Sequence, residues 1–144
     1  MTRSLTLAII LTGAFGAGIV AAPSIRPASG LATEARVFEL RTYTSPPGQL
    51  PALHRRFRER TMKLFARHGM TNVAYWTPTD STRRENTLVY LLAYPSRQAA
   101  RDSWAAFGAD PEWQRVRAES EANGKIVEKV ESVFLDPTDF SPMK

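Results

Sequence analysis

Five residues with alternating character, Glu39 to Tyr43, lie within a segment from Val37 to Thr44 that is predicted to form a β-strand with two unlike faces. The two faces carry Phe38, Leu40 and Thr42 on one side, and Glu39, Arg41 and Tyr43 on the other. The apolar face needs a core, and the polar face needs water, a ligand or a second subunit. We expect the polar face to point away from the helices.

A long amphipathic helix is predicted over residues 50–68, after a turn at residues 45–48. Its apolar stripe recurs at helical spacing and consists of Leu50, Leu53, Phe57, Leu64 and Phe65. Pro51 suits the first turn of this helix, and Gly69 suits its C-terminal end.

The remaining pattern predicts strands and helices in a definite order. Strands are predicted over residues 71–77, 86–94 and 125–135. Ser96 begins a second helix that Gly108 ends, and Asp110 caps a further helical piece. The order β-α-β-β-α-β predicts an α+β, ferredoxin-like fold: a four-stranded antiparallel sheet with its helices on one face.

The strand at residues 86–94 is apolar on both faces. One face carries Val89, Leu91 and Ala93, and the other carries Leu88, Tyr90, Leu92 and Tyr94. Because only one of these faces can meet the helices, the second needs a cover, which is most simply a twin sheet in a homodimer. We expect the face with Tyr90, Leu92 and Tyr94 to form that dimer interface.

Residues 1–30 have the pattern of a secretory signal peptide and linker, which leaves residues 31–144 as the mature domain. The uncharged apolar run at residues 7–22 is shorter than the roughly 20 residues that a membrane span needs. The segment therefore predicts a periplasmic or secreted protein. The alternative is an uncleaved membrane anchor, and a cut after either Ala22 or Gly30 stays open.

Composition narrows the possible partners. The full chain has a net charge of +5, and removal of residues 1–30 lowers it to about +3, too little to indicate nucleic-acid binding. The chain has no cysteine, which excludes disulfides and thiolate chemistry and fits a bacterial periplasm.

Several short motifs in a fixed order resemble the NIPSNAP family, within the dimeric α/β-barrel superfamily. They are Glu39-Leu40-Arg41-Thr42-Tyr43, Pro47-Gly48, His68-Gly69, Trp76, Tyr90-Leu91-Leu92-Ala93-Tyr94, Asp110-Pro111-Glu112-Trp113, Pro137-Thr138 and Ser141-Pro142. The resemblance covers about residues 37–142. It implies a βαββαβ subunit, two sheets paired face to face, and a cavity between the sheet and the partner. The family's molecular activity is poorly defined.

The candidate ligand-binding residues are Glu39, Arg41, Tyr43, Trp76, Tyr90 and Tyr94. Arg41 could hold a carboxylate or polarise a carbonyl, with Glu39 as a base. The alternatives are a structural ion pair between these two residues and interface packing of the tyrosines. Either Tyr75 or Trp76 could face the cavity, whereas Trp104 and Trp113 are predicted to belong to the core.

The sequence predicts no metal and no cofactor. The only two histidines, His54 and His68, lie too far apart on one helix to bind the same ion, and no phosphate-binding glycine loop occurs. A capping or surface role suits both histidines better.

We therefore expect a homodimer with a cavity for a small apolar or aromatic molecule that carries a carbonyl or acid group. A structural or protein-interaction dimer without a ligand is the first alternative. By analogy with the superfamily, a cofactor-independent monooxygenase or isomerase is the second. Whether the protein is an enzyme stays open.

Overall fold

The computed structural model describes residues 36–144, so the predicted signal peptide and linker at residues 1–30 lie outside the described part. The elements are β1 (Val37–Thr44), α1 (Leu50–Arg56), a π-helical stretch (Phe57–Thr61), α2 (Met62–Arg67), β2 (Thr71–Trp76), β3 (Thr87–Tyr94), α3 (Arg97–Ala109), α4 (Pro111–Ser120) and β4 (Lys129–Leu135). Within this range, no helix combines the length and apolar character that crossing a membrane requires.

The four strands form one antiparallel sheet in the order β2-β3-β1-β4. The strands β2 and β3, which follow one another in the sequence, pair at one edge of the sheet. At the other edge, β1 pairs with β4, so the first and last strands of the chain are neighbours. This arrangement with two crossing helical connections confirms the predicted ferredoxin-like α+β fold. In its register, Arg41 lies opposite Tyr90 on one side and Ser132 on the other.

The predicted first helix exists, but it widens in the middle into the π-helical stretch. Phe57 and Thr61, which bound this stretch, are both buried. Asn72 of β2 fixes its end, because the Asn72 Nδ2 donates a hydrogen bond of 3.0 Å to the carbonyl oxygen of Met62. The helix ends at Gly69, whose φ of +78° favours glycine.

Side-chain caps begin the two later helices where the sequence predicts them. The Ser96 Oγ accepts a hydrogen bond of 3.1 Å from the Ala99 amide, and the Asp110 Oδ1 accepts one of 2.8 Å from the Glu112 amide. The last strand is shorter than predicted: β4 begins at Lys129, and the preceding segment places Ile126 in the core.

The core lies between the sheet and the helices, and it corrects the prediction of which face points where. Tyr90, Leu92 and Tyr94 pack against the helices, and each is at most 1% exposed. Their β1 neighbours Glu39 and Arg41 share that face. The expected dimer face is therefore the core face, because strand periodicity identifies two faces of β3 without showing which one the helices cover.

The opposite face of the sheet carries a smaller apolar cluster. It contains Phe38, Leu91 and Ala93, with Leu40 and Val73 packed against them. Val133 of β4, which pairs with Leu40, is 55% exposed. We call this side of the sheet, opposite the helices, the far face; it is the second apolar surface of the sheet.

Candidate functional site

Glu39 is a buried carboxylate with four hydrogen-bond donors around it. Its Oε2 accepts bonds of 2.7 Å from the Tyr94 hydroxyl and 2.7 Å from the Trp104 indole. Its Oε1 accepts bonds of 2.6 Å from Ser132 and 2.5 Å from Arg41. The donors come from β1, β3, α3 and β4, so this one side chain, only 1% exposed, joins three of the four strands to a helix.

The same contacts keep Glu39 ionised. Burial alone would raise the pKa of Glu39, but the hydrogen bonds from Ser132, Trp104 and Tyr94 and the charge of Arg41 outweigh it. The net effect is a pKa below the ordinary glutamate value. A carboxylate held in this way is a poor general base, since its lone pairs are already in use.

Arg41 lies between two aromatic side chains. Its Cζ is 4.2 Å from the centroid of the Trp104 ring and 5.6 Å from that of Tyr43. Burial would lower the pKa of Arg41, but Tyr43, Tyr90 and Glu39 raise it above its ordinary value, so the guanidinium stays charged. The ion pair with Glu39 that the sequence offered as an alternative is present.

Two buried hydrogen-bond donors at the Glu39–Arg41 ion pair have no acceptor. Within residues 36–144, neither the Arg41 Nε nor the Tyr90 hydroxyl meets an acceptor in hydrogen-bond geometry, although both are buried and the Tyr43 hydroxyl lies near that of Tyr90. The two residues lie directly opposite each other on β1 and β3. Burial raises the pKa of Tyr90 well above its ordinary value, so the phenol stays neutral and able to donate. A buried donor without a partner is costly, and here Arg41 and Tyr90 both lack an acceptor oxygen.

A cleft of about 470 Å³ opens beside these residues, where α3 and α4 meet the β4 side of the sheet. We call it the sheet–helix cleft. Its walls are aromatic, and its charged groups are three cations and two carboxylates: Tyr43, Trp104, Phe107 and Trp113 with Arg56, Arg117, Lys125, Glu121 and Glu128. Arg41 lies one side chain behind the wall, because it packs against both Trp104 and Tyr43.

Arg56 fixes the helical side of the cleft. Its Nη1 donates to the Glu121 carboxylate at 3.0 Å and to the Ser120 hydroxyl at 3.1 Å, and its Cζ is 5.2 Å from the centroid of the Trp113 ring. Glu121 also forms an ion pair with Arg117, whose Nε lies 3.4 Å from the Glu121 Oε2. These contacts hold α1 and α4 together and keep a cationic group against the indole wall.

The structure brings together five of the six predicted site residues: Glu39, Arg41, Tyr43, Tyr90 and Tyr94. They lie between sheet and helices, which corrects the expected position on the far face. Trp76 is not with them. It lies half exposed at the end of β2, whereas its neighbour Tyr75 stacks on Tyr90 with centroids 5.4 Å apart.

Sequence reasoning missed the helical half of the cleft. Trp104 and Trp113 were predicted to be core, yet both are only partly buried and line the cleft. Their helical stripe was the correct signal for packing. The missing information was that the space beside both indoles is left open as the sheet–helix cleft.

The histidines take structural or surface positions. His68 ends α2, and its Nε2 lies 2.6 Å from Asp110 Oδ2, which also accepts a bond of 2.5 Å from Arg67. His54 lies near the start of the first helix, away from the sheet–helix cleft. Within residues 36–144, no three His, Cys, Asp or Glu side chains come close enough to hold a metal ion.

Fold and site together define a class: ferredoxin-like α+β proteins with a cleft between helices and sheet. The sequence profile of the NIPSNAP family matches residues 38–142 of this chain. The chain therefore belongs to the NIPSNAP family, as its motifs predicted. A comparison with curated proteins finds no match.

Solved structures share the fold. A NIPSNAP family protein of unknown function from Agrobacterium tumefaciens is 22% identical, with a TM-score of 0.65 over 77% of this chain and 96% of that one. SnoaB, a cofactor-independent oxygenase from Streptomyces nogalater, is 17% identical, with a TM-score of 0.51 over 75% and 98%. A monooxygenase of Streptomyces coelicolor in complex with nanaomycin D is 18% identical, with a TM-score of 0.52 over 77% and 95%. At these identities the likeness describes the fold.

Proposed function

We propose that the sheet–helix cleft binds a small aromatic or apolar molecule that carries an acid or carbonyl group. The observation that carries the proposal is a set of donors without acceptors beside an aromatic-walled cleft of about 470 Å³. A flat ring would lie against Trp104 and Trp113, and its oxygens would meet basic groups. Such a mixture of apolar walls and a few converging polar groups is typical of small-molecule sites.

Two layers of donors would hold the oxygens. Arg117 and Lys125 line the cleft directly, and Arg41 with Tyr90 forms an inner pair behind Tyr43. An oxygen that reached the inner pair would supply the acceptor that both lack. A charge-assisted hydrogen bond of this kind contributes about 1.5–3 kcal/mol.

The test is a titration of the purified protein with 1-naphthoate, followed by the indole N–H signals in ¹H–¹⁵N NMR spectra. The chain has three tryptophans, and ligand binding in the sheet–helix cleft should shift the signals of Trp104 and Trp113. Arg117→Gln should weaken these shifts, and Arg115→Gln is its matched control. Both arginines lie on α4 and pair with a glutamate four residues on, but only Arg117 lines the cleft. If the Trp104 and Trp113 signals do not shift even at a large excess of 1-naphthoate, the proposal is ruled out.

A cofactor-independent monooxygenase is the second candidate. The fold shared with two oxygenases supports it. Oxygen uptake measured with a panel of naphthols would test it. Uptake no faster than in buffer, with naphthoate binding intact, would leave a binding protein without oxygenase activity.

We also propose that the protein is an exported homodimer. The apolar far face, with Leu91 and the exposed Val133, supports a second copy of the sheet as its cover. The apolar run at residues 7–22 supports export. N-terminal sequencing of periplasmic material should find a start between Pro23 and Leu31. An intact Met1 in a soluble cytoplasmic fraction would contradict export, and an intact Met1 in membranes would favour the anchor.

A further inference from the structure

A second cavity, of about 310 Å³, lies where the first helix passes the end of β2. We call it the His54 cavity. It shares no lining residue with the sheet–helix cleft. Its walls include the rings of Phe57, Tyr75 and Trp76, and its polar groups are His54, Arg58 and Thr77.

The π-helical stretch builds one wall of this cavity. Phe57 and Arg58 open the stretch and Met62 follows it, and all three line the cavity. Asn72 connects the two walls, since its Nδ2 donates to the Met62 carbonyl at 3.0 Å and its Oδ1 accepts from the Tyr75 hydroxyl. Wide helical turns of this kind occur frequently at functional sites. Here the turn is held in place by a polar contact from the opposite wall.

The polar groups of the cavity favour an anion. No aspartate or glutamate lines it, and Arg58 forms no salt bridge within residues 36–144. Burial and the charge of Arg58 lower the pKa of His54, so its imidazole is neutral near pH 7. Its Nε2 lies 3.4 Å from the Thr77 hydroxyl. A neutral imidazole and the Trp76 indole can each donate one N–H without adding charge.

We propose that the His54 cavity is a second binding site, for a planar aromatic carboxylate. Its ring would stack against Trp76 and Tyr75, and its carboxylate would pair with Arg58 at the mouth. Trp76 is 50% exposed, which leaves an indole surface open for such stacking. No residue lines both this cavity and the sheet–helix cleft, and the two meet only behind their walls, where the Phe57 and Tyr43 ring centroids are 5.9 Å apart.

The test uses the same NMR titration but a different signal. The Trp76 indole signal, assigned through the variant Trp76→Phe, should shift saturably as 1-naphthoate is added. Arg58→Gln should weaken the affinity for 1-naphthoate that this shift reports by about ten- to a hundredfold, the range expected for loss of one hydrogen bond to a charged group. Lys63→Gln is the matched control, since Lys63 is another exposed cation on the same helix and lines neither cavity.

The neutral analogue 1-naphthalenemethanol distinguishes carboxylate recognition from simple apolar binding. A saturable Trp76 shift with naphthoate, much weaker with the alcohol and with Arg58→Gln, supports the proposal. A Trp76 signal that does not move overturns it. So does a shift of equal size with the alcohol, or one that Arg58→Gln leaves unchanged. Because Trp104 and Trp113 report on the sheet–helix cleft, either site can fail while the other stands.

Discussion

The indole Nε1 of Trp104 donates a hydrogen bond of 2.7 Å to the Glu39 carboxylate, across a sequence separation of 65 residues. This bond ties α3 to β1 in the centre of the molecule. One side of the same indole packs against Arg41, and its outer edge lines the sheet–helix cleft. The orientation of a cleft wall therefore depends on a carboxylate that lies behind it.

Glu39→Gln should destabilise the protein by about 3–5 kcal/mol, the usual result of removing one partner of a buried ion pair. Glutamine keeps the size of the side chain but leaves the Arg41 guanidinium without a counter-charge. Urea unfolding measures the change. The double variant Glu39→Gln/Arg41→Met should recover part of the loss. A single variant within about 0.5 kcal/mol of wild type, the range of an ordinary surface substitution, would show that the pair contributes little.

Tyr90 and Tyr94 form a matched pair, since both lie on β3 with the same face inward and are at most 1% exposed. Tyr94→Phe removes a hydrogen bond to an ionised carboxylate and should cost about 1.5–3 kcal/mol. Tyr90→Phe removes a hydroxyl that has no partner and should be neutral or slightly stabilising. Unfolding midpoints compare the two. A large loss for Tyr90→Phe would mean that its hydroxyl is satisfied in solution.

The Tyr90 hydroxyl, which is expected to contribute little to stability, should matter for ligand affinity. Tyr90→Phe removes an inner donor of the proposed site and should weaken binding of 1-naphthoate in the sheet–helix cleft. Unchanged affinity would restrict the proposed site to the outer donors.

The sequence predicted the fold well because local signals agree with one another there. Strand alternation in β1 and the caps at Ser96 and Asp110 all appear where expected. The π-helical stretch was not predicted, since its residues fit a regular helical stripe equally well. Periodicity reports which residues share a face, but it does not report the number of residues in each turn.

The orientation of the polar face of β1 could not be predicted from the sequence. The sequence of a strand that presents Glu39 and Arg41 predicts a solvent-facing surface, since an isolated buried carboxylate is very costly. The structure offsets that cost by gathering donors from three distant elements, with Tyr94, Trp104 and Ser132 as partners. No local pattern in the sequence connects those three residues.

Assembly can be tested with two substitutions on opposite faces of the sheet. Val133→Arg changes an exposed residue of the far face, so it should leave a folded protein that light scattering finds as a monomer while wild type is a dimer. Leu92→Arg changes a fully buried core residue and should prevent folding instead. A wild-type protein that stays monomeric at micromolar concentration would contradict the dimer.

Asp110 should make stability depend on acidic pH. Hydrogen bonds from His68 and Arg67 hold the pKa of Asp110 below its ordinary value. A lowered folded-state pKa gives stability that is full above the unfolded value, about 3.9, and is lost as the pH falls through the lower one. Asp110→Asn should therefore be less stable at pH 7 and lose less between pH 4 and 2.

Melting temperatures across that range measure the effect, with Asp102→Asn as the control. Asp102 is exposed, and among the described side chains it accepts a hydrogen bond only from Gln98. Parallel acid curves for wild type and Asp110→Asn would show that Asp110 does not contribute to this pH dependence.

A π-helical turn is geometrically an α-helix with one residue inserted, because its hydrogen bonds reach one residue further along the chain. The Phe57–Thr61 stretch therefore allows the helix to lose a residue without changing which side chains meet the sheet at either end. Deletion of the exposed Glu59 would leave Leu53 and Leu64 in the core. It would remove the bulge that forms a wall of the His54 cavity. In evolutionary terms, a change of one residue in helix length can create or erase that cavity while the fold remains the same.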